Sequence, residues 1–219
     1  LHGGSVVASY PFDGSQHETN TYTPTTDDDI FKRISRAYST NHAFMANGKA
    51  PCSGYWGEVF EDGITNGADW YSLDGSMQDF NYLESNCFEI TIELSCCKYP
   101  QQTNGMTHAN NLETEWTNNK ESLLSYMEQI FTGLRGFVRD AETHKPIPWA
   151  KIAVKGRSKE IQCGDVGEYF RLLNPTATSR QVDDESATSN YSPTPPLPAY
   201  SVTAYAKGYV PKTEVVGTA

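Results

Sequence analysis

Three side chains have the types and surroundings that could support catalysis: His2, Glu93 and Tyr71. His2 precedes two glycines, which allow a sharp backbone turn and would leave the imidazole at a strand end, where ligands commonly bind. The imidazole could bind zinc, or it could form an ordinary hydrogen bond beside a loop. Catalytic zinc needs about three protein ligands, and no H-x-x-E or H-x-x-H pair occurs in the 219 residues. These residues alone therefore do not define a zinc site.

A strand is predicted over residues 87–94, where apolar and polar side chains alternate. The alternation places Glu89 and Glu93 on the face opposite the apolar side chains. The apolar face consists of Phe88, Ile90, Ile92 and Leu94. A carboxylate at the end of a central strand could be the general base for a metal-bound water, or it could bind an arginine or a backbone amide. The pattern does not choose between Glu93 and Glu89.

Tyr71 lies just before the turn-forming segment Ser72-Leu73-Asp74-Gly75. A tyrosine in this place could swing over a neighbouring site. It could equally be a half-buried surface aromatic with its hydroxyl in water. The sequence leaves both interpretations open.

The elements that would position these side chains alternate between helix and strand, which predicts an α/β domain over residues 1–133. Asp27–Asp29 supply carboxylates for a helix N-terminus, and apolar residues repeat at helical spacing behind them. A second amphipathic helix is expected to end the domain near Gly133. Its apolar face consists of Trp116, Leu123, Leu124, Met127 and Ile130.

From Leu134 onwards, short strands separated by turns predict a small β-sandwich over residues 134–219. The strands are expected at 134–139, 150–155, 168–173, 200–206 and 212–216. Residues 176–197 are rich in Ser, Thr, Asp and Pro, which predicts an inserted surface loop.

Composition excludes some functions. The formal net charge is −10 and no Lys/Arg-rich run occurs, so a nucleic-acid partner is not expected. No apolar stretch approaches the ~18–20 residues that span a bilayer, so no membrane anchor lies within this chain. There are five cysteines, at positions 52, 87, 96, 97 and 163, and one sequon, Asn190-Tyr191-Ser192. The sequon suits a secreted glycoprotein.

Four segments occur in the order found in one enzyme family: Leu1–Ser5, Asp62–Tyr71, Gly75–Tyr82 and Cys87–Lys98. Together they closely resemble the regulatory (N/E-type) zinc metallocarboxypeptidases. The later segments Gly167–Leu173 and Tyr200–Ala204 resemble the transthyretin-like domain of that family. The resemblance implies part of a carboxypeptidase fold, with a mixed, largely parallel sheet and flanking helices, followed by an all-β transthyretin-like sandwich.

The resemblance also implies a role for each of five residues. His2 matches a zinc ligand, Glu93 the carboxylate that activates the zinc-bound water, and Tyr71 the mobile tyrosine that closes over the substrate's C-terminal residue. Gln78 and Asp13 match the pair that lines the pocket for that residue's side chain. An acid there favours Arg or Lys, because a buried cation needs a partner. The expected substrates are peptides or proteins with a basic C-terminus.

The H-x-x-E zinc pair and the residues that bind the substrate's terminal carboxylate would lie before Leu1. We therefore expect one Zn²⁺ with two further protein ligands upstream, an inactive chain in isolation, and a parent protein of the secretory pathway or extracellular space. Two alternatives stay open: a non-catalytic carboxypeptidase-like binding protein, and an independent adhesion or carrier role for residues 134–219.

Overall fold

The computed structural model describes residues 1–15, 20–49, 58–95, 98, 108–175 and 199–217, with only the backbone of 108–111. Within it the chain forms two compact units, Leu1–Phe131 and Thr132–Ala219. Three cysteines (52, 96 and 97), the sequon at 190–192 and the predicted loop at 176–197 lie outside the described residues.

A three-stranded sheet forms the centre of the first unit. Its strands are β1 (Val6–Tyr10), β2 (Ile64–Asn66) and β3 (Thr91–Leu94), in the order β2-β1-β3. Every residue of β1 is buried, as expected for a central strand covered on both faces. β1 pairs parallel with β2 and antiparallel with β3. The sheet is thus mixed, and the described pairings do not show the largely parallel arrangement that was expected.

Helix α1 (Asp28–Ser39) packs along β1 and confirms the first predicted helix. It begins with Asp28 and Asp29 in its first turn, where carboxylates interact favourably with the helix dipole. Two short helices, α2 (Gly67–Trp70) and α3 (Met77–Glu84), follow β2. Short 3-10 turns occupy Met45–Asn47, Glu61–Gly63 and Gln129–Phe131.

The last helix of the first unit, α4 (His108–Glu128), packs against α1 with a polar face. Asn119 is buried and accepts a hydrogen bond from the Tyr38 hydroxyl at 2.6 Å. By contrast, Trp116 and Met127 are 59% and 57% exposed. A helix was correctly predicted here near the end of the first unit, but these two residues of its predicted apolar face are exposed. Pairing of polar side chains between the two helices decides which face is buried.

The described residues of the second unit form six strands. They are β4 (Leu134–Phe137), β5 (Lys151–Val154), β6 (Ile161–Gln162), β7 (Glu168–Arg171), β8 (Tyr200–Tyr205) and β9 (Lys212–Val216). They form a β4-β7 pair and a sheet of order β6-β5-β8-β9, and every pairing is antiparallel. The five predicted strands are present, and the two-residue β6 was missed. Among the described residues, no helix has the length and apolar character needed to cross a membrane.

Candidate active site

A pocket of about 210 Å³ opens in the first unit at the ends of β1 and β3. Four of the five residues singled out in the sequence line it: His2, Asp13, Tyr71 and Glu93. The other lining residues are Ser9, Gly67, Trp70, Leu73, Ser76, Met77 and Thr91. Gln78 is not a lining residue and instead contacts Asp13 from helix α3. The fold therefore gathers side chains from distant parts of the sequence around one cavity.

Glu93 is held with its carboxylate in a narrow space beside the chain start. It is 7% exposed, and its Oε2 accepts a hydrogen bond from the Ser5 backbone amide at 2.7 Å. Gly4 makes this approach possible, because a β-carbon at that position would lie 2.5 Å from the same oxygen. Gly4 also has φ +145°, where side chains are rarely accommodated. Glycine at position 4 thus leaves the space that the Glu93 carboxylate occupies.

His2 lies next to Glu93 on the neighbouring backbone. Its amide donates to Ile92 O at 3.0 Å and its carbonyl accepts from Leu94 N at 2.8 Å, so His2 is fixed alongside β3. Its Nδ1 is 3.0 Å from the Gly3 carbonyl oxygen and 3.8 Å from Glu93 Oε2. When Nδ1 carries the proton that it donates to this carbonyl, Nε2 retains a lone pair that can bind a metal.

These residues fit one ligand position of a zinc ion. An exposed imidazole at a strand end, next to a carboxylate, has the chemistry that zinc prefers. Within the part of the chain that the structure describes, no group of three or more His, Cys, Asp or Glu side chains could hold a metal together. His2 can therefore be one ligand among several.

Glu89, the other candidate carboxylate, does not line the pocket. It accepts a hydrogen bond from the Asn81 side-chain amide. The predicted alternation made Glu89 and Glu93 equivalent, but the strand begins only at Thr91, so Glu89 precedes β3. Glu93 lies within β3 beside His2 and lines the cavity.

Asp13 lies three residues after the end of β1 and lines the same cavity. Gln78, which is 1% exposed, donates from Nε2 to Asp13 Oδ1 at 2.8 Å. Burial, with a smaller contribution from the nearby Asp79 carboxylate, raises the pKa of Asp13 to about 6, against the opposing hydrogen bonds from Ser76 and Gln78. Asp13 is therefore ionised above about pH 6, and a cation in the pocket would favour the charged form.

Tyr71 stands at the rim of the pocket directly after α2. It is 46% exposed, and its ring packs edge-on against Trp70 with the ring centroids 4.8 Å apart. Burial raises the pKa of the Tyr71 hydroxyl, and the nearby carboxylates of Glu93, Asp13 and Glu58 raise it further. The hydroxyl is thus a neutral hydrogen-bond donor next to the acidic side chains.

Sequence reasoning missed two residues that shape the site, Gly67 and Asp79. A β-carbon at position 67 would lie only 1.6 Å from Asp13 Oδ1, so the glycine leaves the space that the carboxylate fills. The Asp79 carboxylate accepts hydrogen bonds from the backbone amides of Asp13 and Gly14. Ser76 and Asp79 have the spacing of a helix-capping pair, which was a visible signal for the start of α3 but not for this contact.

Comparison with protein-family models places these observations in a known class. The model described as zinc carboxypeptidase matches residues 1–122. This match covers more than half of the chain and includes all four pocket residues named above. The chain therefore belongs to the zinc carboxypeptidase family.

Individual relatives agree with this assignment. The chain is 45% identical over 216 residues to carboxypeptidase D of Anas platyrhynchos, covering 98% of this chain and 14% of that protein. It is 50% identical over 177 residues to carboxypeptidase D of Homo sapiens, covering 80% of this chain and 12% of that protein. It is also 41% identical over 225 residues to the carboxypeptidase N catalytic chain of Rattus norvegicus, covering 99% and 41%. The chain thus spans less than half the length of each of these relatives.

Proposed function

We propose that this chain is part of a zinc metallocarboxypeptidase that releases C-terminal Arg or Lys from peptides and proteins. The observation that supports the proposal is the pocket itself, where His2, Glu93, Tyr71 and Asp13 meet. These side chains provide a metal ligand, a buried base, a mobile hydroxyl and an acidic partner for a cation. Family membership supports the same chemistry.

Zinc, when bound, would supply Lewis-acid activation of water for attack on the peptide carbonyl. His2 would contribute one ligand, and we propose that two further protein ligands precede Leu1. On this proposal the 219-residue chain alone neither holds catalytic zinc nor turns over peptide. Zinc analysis of this chain and of a longer protein tests this part, and stoichiometric tight zinc in the short chain would contradict it.

Glu93 would take a proton from the attacking water and return it to the leaving amine. Its position suits this task, because Ser5 N fixes one carboxylate oxygen at 2.7 Å while the residue still lines the pocket. Holding a base in one orientation avoids reorganisation during the reaction.

Asp13 would bind the basic side chain of the C-terminal residue, with Gln78 orienting the carboxylate through the 2.8 Å hydrogen bond. A guanidinium or ammonium group in a confined pocket gains from a charged partner, and an aliphatic side chain does not. Tyr71, half-exposed at the rim, would fold over the bound residue. Together these groups would select a basic C-terminus.

We further propose that residues 134–219 form a transthyretin-like sandwich domain with a folding or docking role, and that residues 1–133, which precede it in the sequence, are the C-terminal part of a catalytic domain. Two antiparallel sheets in one all-β unit support this assignment. A protein with this organisation is proposed to be a disulfide-containing glycoprotein of the secretory pathway or extracellular space. Among the described residues Cys87 and Cys163 form no disulfide, and the other three cysteines lie outside those residues.

The central experiment compares kcat/KM for peptides ending in Arg, Lys and Leu in the full-length protein and in Asp13→Asn. Loss of the charge should cost about 1.5–3 kcal/mol for Arg, the range for a charge-assisted hydrogen bond, and much less for Leu. That cost corresponds to a loss of about ten- to 150-fold. Asp74→Asn, which removes the same charge from an exposed position, serves as the matched control.

Two results would contradict the proposal in different ways. An equal loss on all three substrates would show that Asp13 supports the loop and does not bind the side chain. Turnover should be removed by chelation and restored by zinc. If no such turnover is found, the non-catalytic binding protein would be the better explanation.

A further inference from the structure

We propose that Asp79 is a positioning residue for substrate selection: it holds the backbone of the Asp13–Gly14 segment and thereby keeps the Asp13 carboxylate in the pocket. This inference rests on the proposed function, because it concerns how the pocket acquires its selectivity. Asp79 does not line the cavity, so its effect would pass through Asp13.

The contact geometry carries the inference. Asp13 N lies 2.9 Å from Asp79 Oδ1 and 3.0 Å from Oδ2, and Gly14 N lies 3.0 Å from Oδ2. Both oxygens of one carboxylate therefore bind two consecutive backbone amides. Hydrogen bonds to a charged acceptor are stronger than neutral ones. Two such bonds fix the direction in which the chain leaves β1, and with it the direction of the Asp13 side chain.

Helix α3 supplies a rigid support for this contact. Asp79 is the third residue of α3, and its own amide donates to the N-cap Ser76 hydroxyl at 3.3 Å. The preceding residue, Gln78, donates to Asp13 Oδ1 at 2.8 Å. Consecutive residues of one helix thus hold Asp13 at two points, its backbone and its carboxylate. The first turn of α3 therefore determines where the acid of the pocket lies.

The Asp79 carboxylate binds another segment of the chain. A Glu or Gln three residues after an N-cap often reaches back to the N-cap amide of its own helix. Here both oxygens point to the Asp13–Gly14 segment. This places a second negative charge close to Asp13, which is electrostatically unfavourable. The hydrogen bonds from the Asp13 and Gly14 amides offset that repulsion.

Asp79→Asn in the full-length enzyme tests the inference. Asparagine keeps the shape but replaces one acceptor oxygen by a donor group, which cannot accept from a backbone amide. We expect the ratio of kcat/KM for Arg over Leu substrates to fall about tenfold or more, mainly through a higher KM for the Arg peptide. Turnover of the Leu peptide should change less than threefold. Asp74→Asn, a charge-matched exposed variant on the neighbouring turn, should leave the ratio unchanged.

A double-mutant cycle separates positioning from general destabilisation. If Asp79 acts through Asp13, adding Asp79→Asn to Asp13→Asn should lower selectivity no further. Equal losses on Arg and Leu peptides, an unchanged Arg/Leu ratio, or additive effects in the double variant would each overturn the inference. Should the asparagine variant not fold, the same ratios in Asp79→Ser give the answer. A wild-type enzyme with no turnover on any peptide would instead refute the proposed function.

Discussion

Gly67→Ala is a sharp test of how tightly the proposed specificity pocket is built. The added β-carbon would lie 1.6 Å from Asp13 Oδ1, and contacts under 3.0 Å are essentially never seen for real β-carbons. The carboxylate oxygen would have to move by at least 3.0 − 1.6 = 1.4 Å. Asp13 Cα is also only 3.1 Å from the new atom, so the backbone of the loop is crowded as well. Side-chain rotation alone cannot remove the strain.

Two opposing contributions set the expected change in stability. Gly67 is the first residue of α2, and alanine there gains up to about 1 kcal/mol in helix propensity. Displacing Asp13 breaks its 2.8 Å hydrogen bond from Gln78 and leaves a buried amide without this partner. Such a loss costs about 1.5–3 kcal/mol. The free energy of unfolding is therefore expected to fall by about 0.5–2 kcal/mol. Helix propensity alone would instead predict that it rises.

The assay combines urea unfolding at pH 7.5, where Asp13 is ionised, with kcat/KM for peptides ending in Arg and Leu. Displacement of Asp13 should lower the Arg/Leu ratio about tenfold or more, because the cation loses a positioned partner. Gly14→Ala is the matched control, since its β-carbon would make only ordinary contacts, the nearest at 3.6 Å to the Leu73 carbonyl. A folded Gly67→Ala protein with wild-type stability and an unchanged ratio would refute the reasoning.

Three further predictions concern the same pocket. Glu93→Gln should lower turnover about 10²–10⁴-fold while zinc content and product binding stay near wild type. Glu89→Gln should lower turnover much less. A larger loss of turnover in Glu89→Gln than in Glu93→Gln would show that the base is misassigned. Gly4→Ala should lower turnover without changing the Arg/Leu ratio, because the new β-carbon would lie 2.5 Å from Glu93 Oε2. Normal activity in this variant would show that Glu93 can shift freely. Since the pKa of Asp13 is raised to about 6, the Arg/Leu ratio should rise as pH increases from 5 to 7 and the carboxyl ionises. Asp13→Asn should abolish this rise, and an unchanged pH dependence in that variant would assign it to another group.

Sequence patterns predicted the elements whose signals are long and periodic. α1 was found because acidic residues at its start precede apolar residues at helical spacing. Strands of the second unit were found because short apolar runs alternate with turns. β6 was missed because two residues, Ile161–Gln162, are too few to show a period. The pattern of α4 revealed an apolar stripe, but periodicity does not show whether another element covers it, and Trp116 is exposed.

The candidate site was only partly accessible from the sequence. Residue types and spacing left Glu93 and Glu89 equivalent, and the resemblance to a family was needed to prefer Glu93. Asp79 and Gly67 gave no usable signal, because one acts on backbone amides and the other by leaving space. Such contributions depend on distances between segments that are far apart in the chain, which no local pattern encodes.

The close approach of Asp13 to Gly67 also constrains the order in which this site can change during evolution. While aspartate occupies position 13, any side chain at position 67 meets its carboxylate, since even a β-carbon would be 1.6 Å away. A residue smaller than aspartate at position 13 would remove that obstacle and make position 67 free to vary. Once a side chain has been fixed at 67, restoring aspartate at 13 would recreate the clash. Loss of the acidic pocket would then be hard to reverse by a single substitution. Substitutions at these two positions should therefore accumulate in one direction.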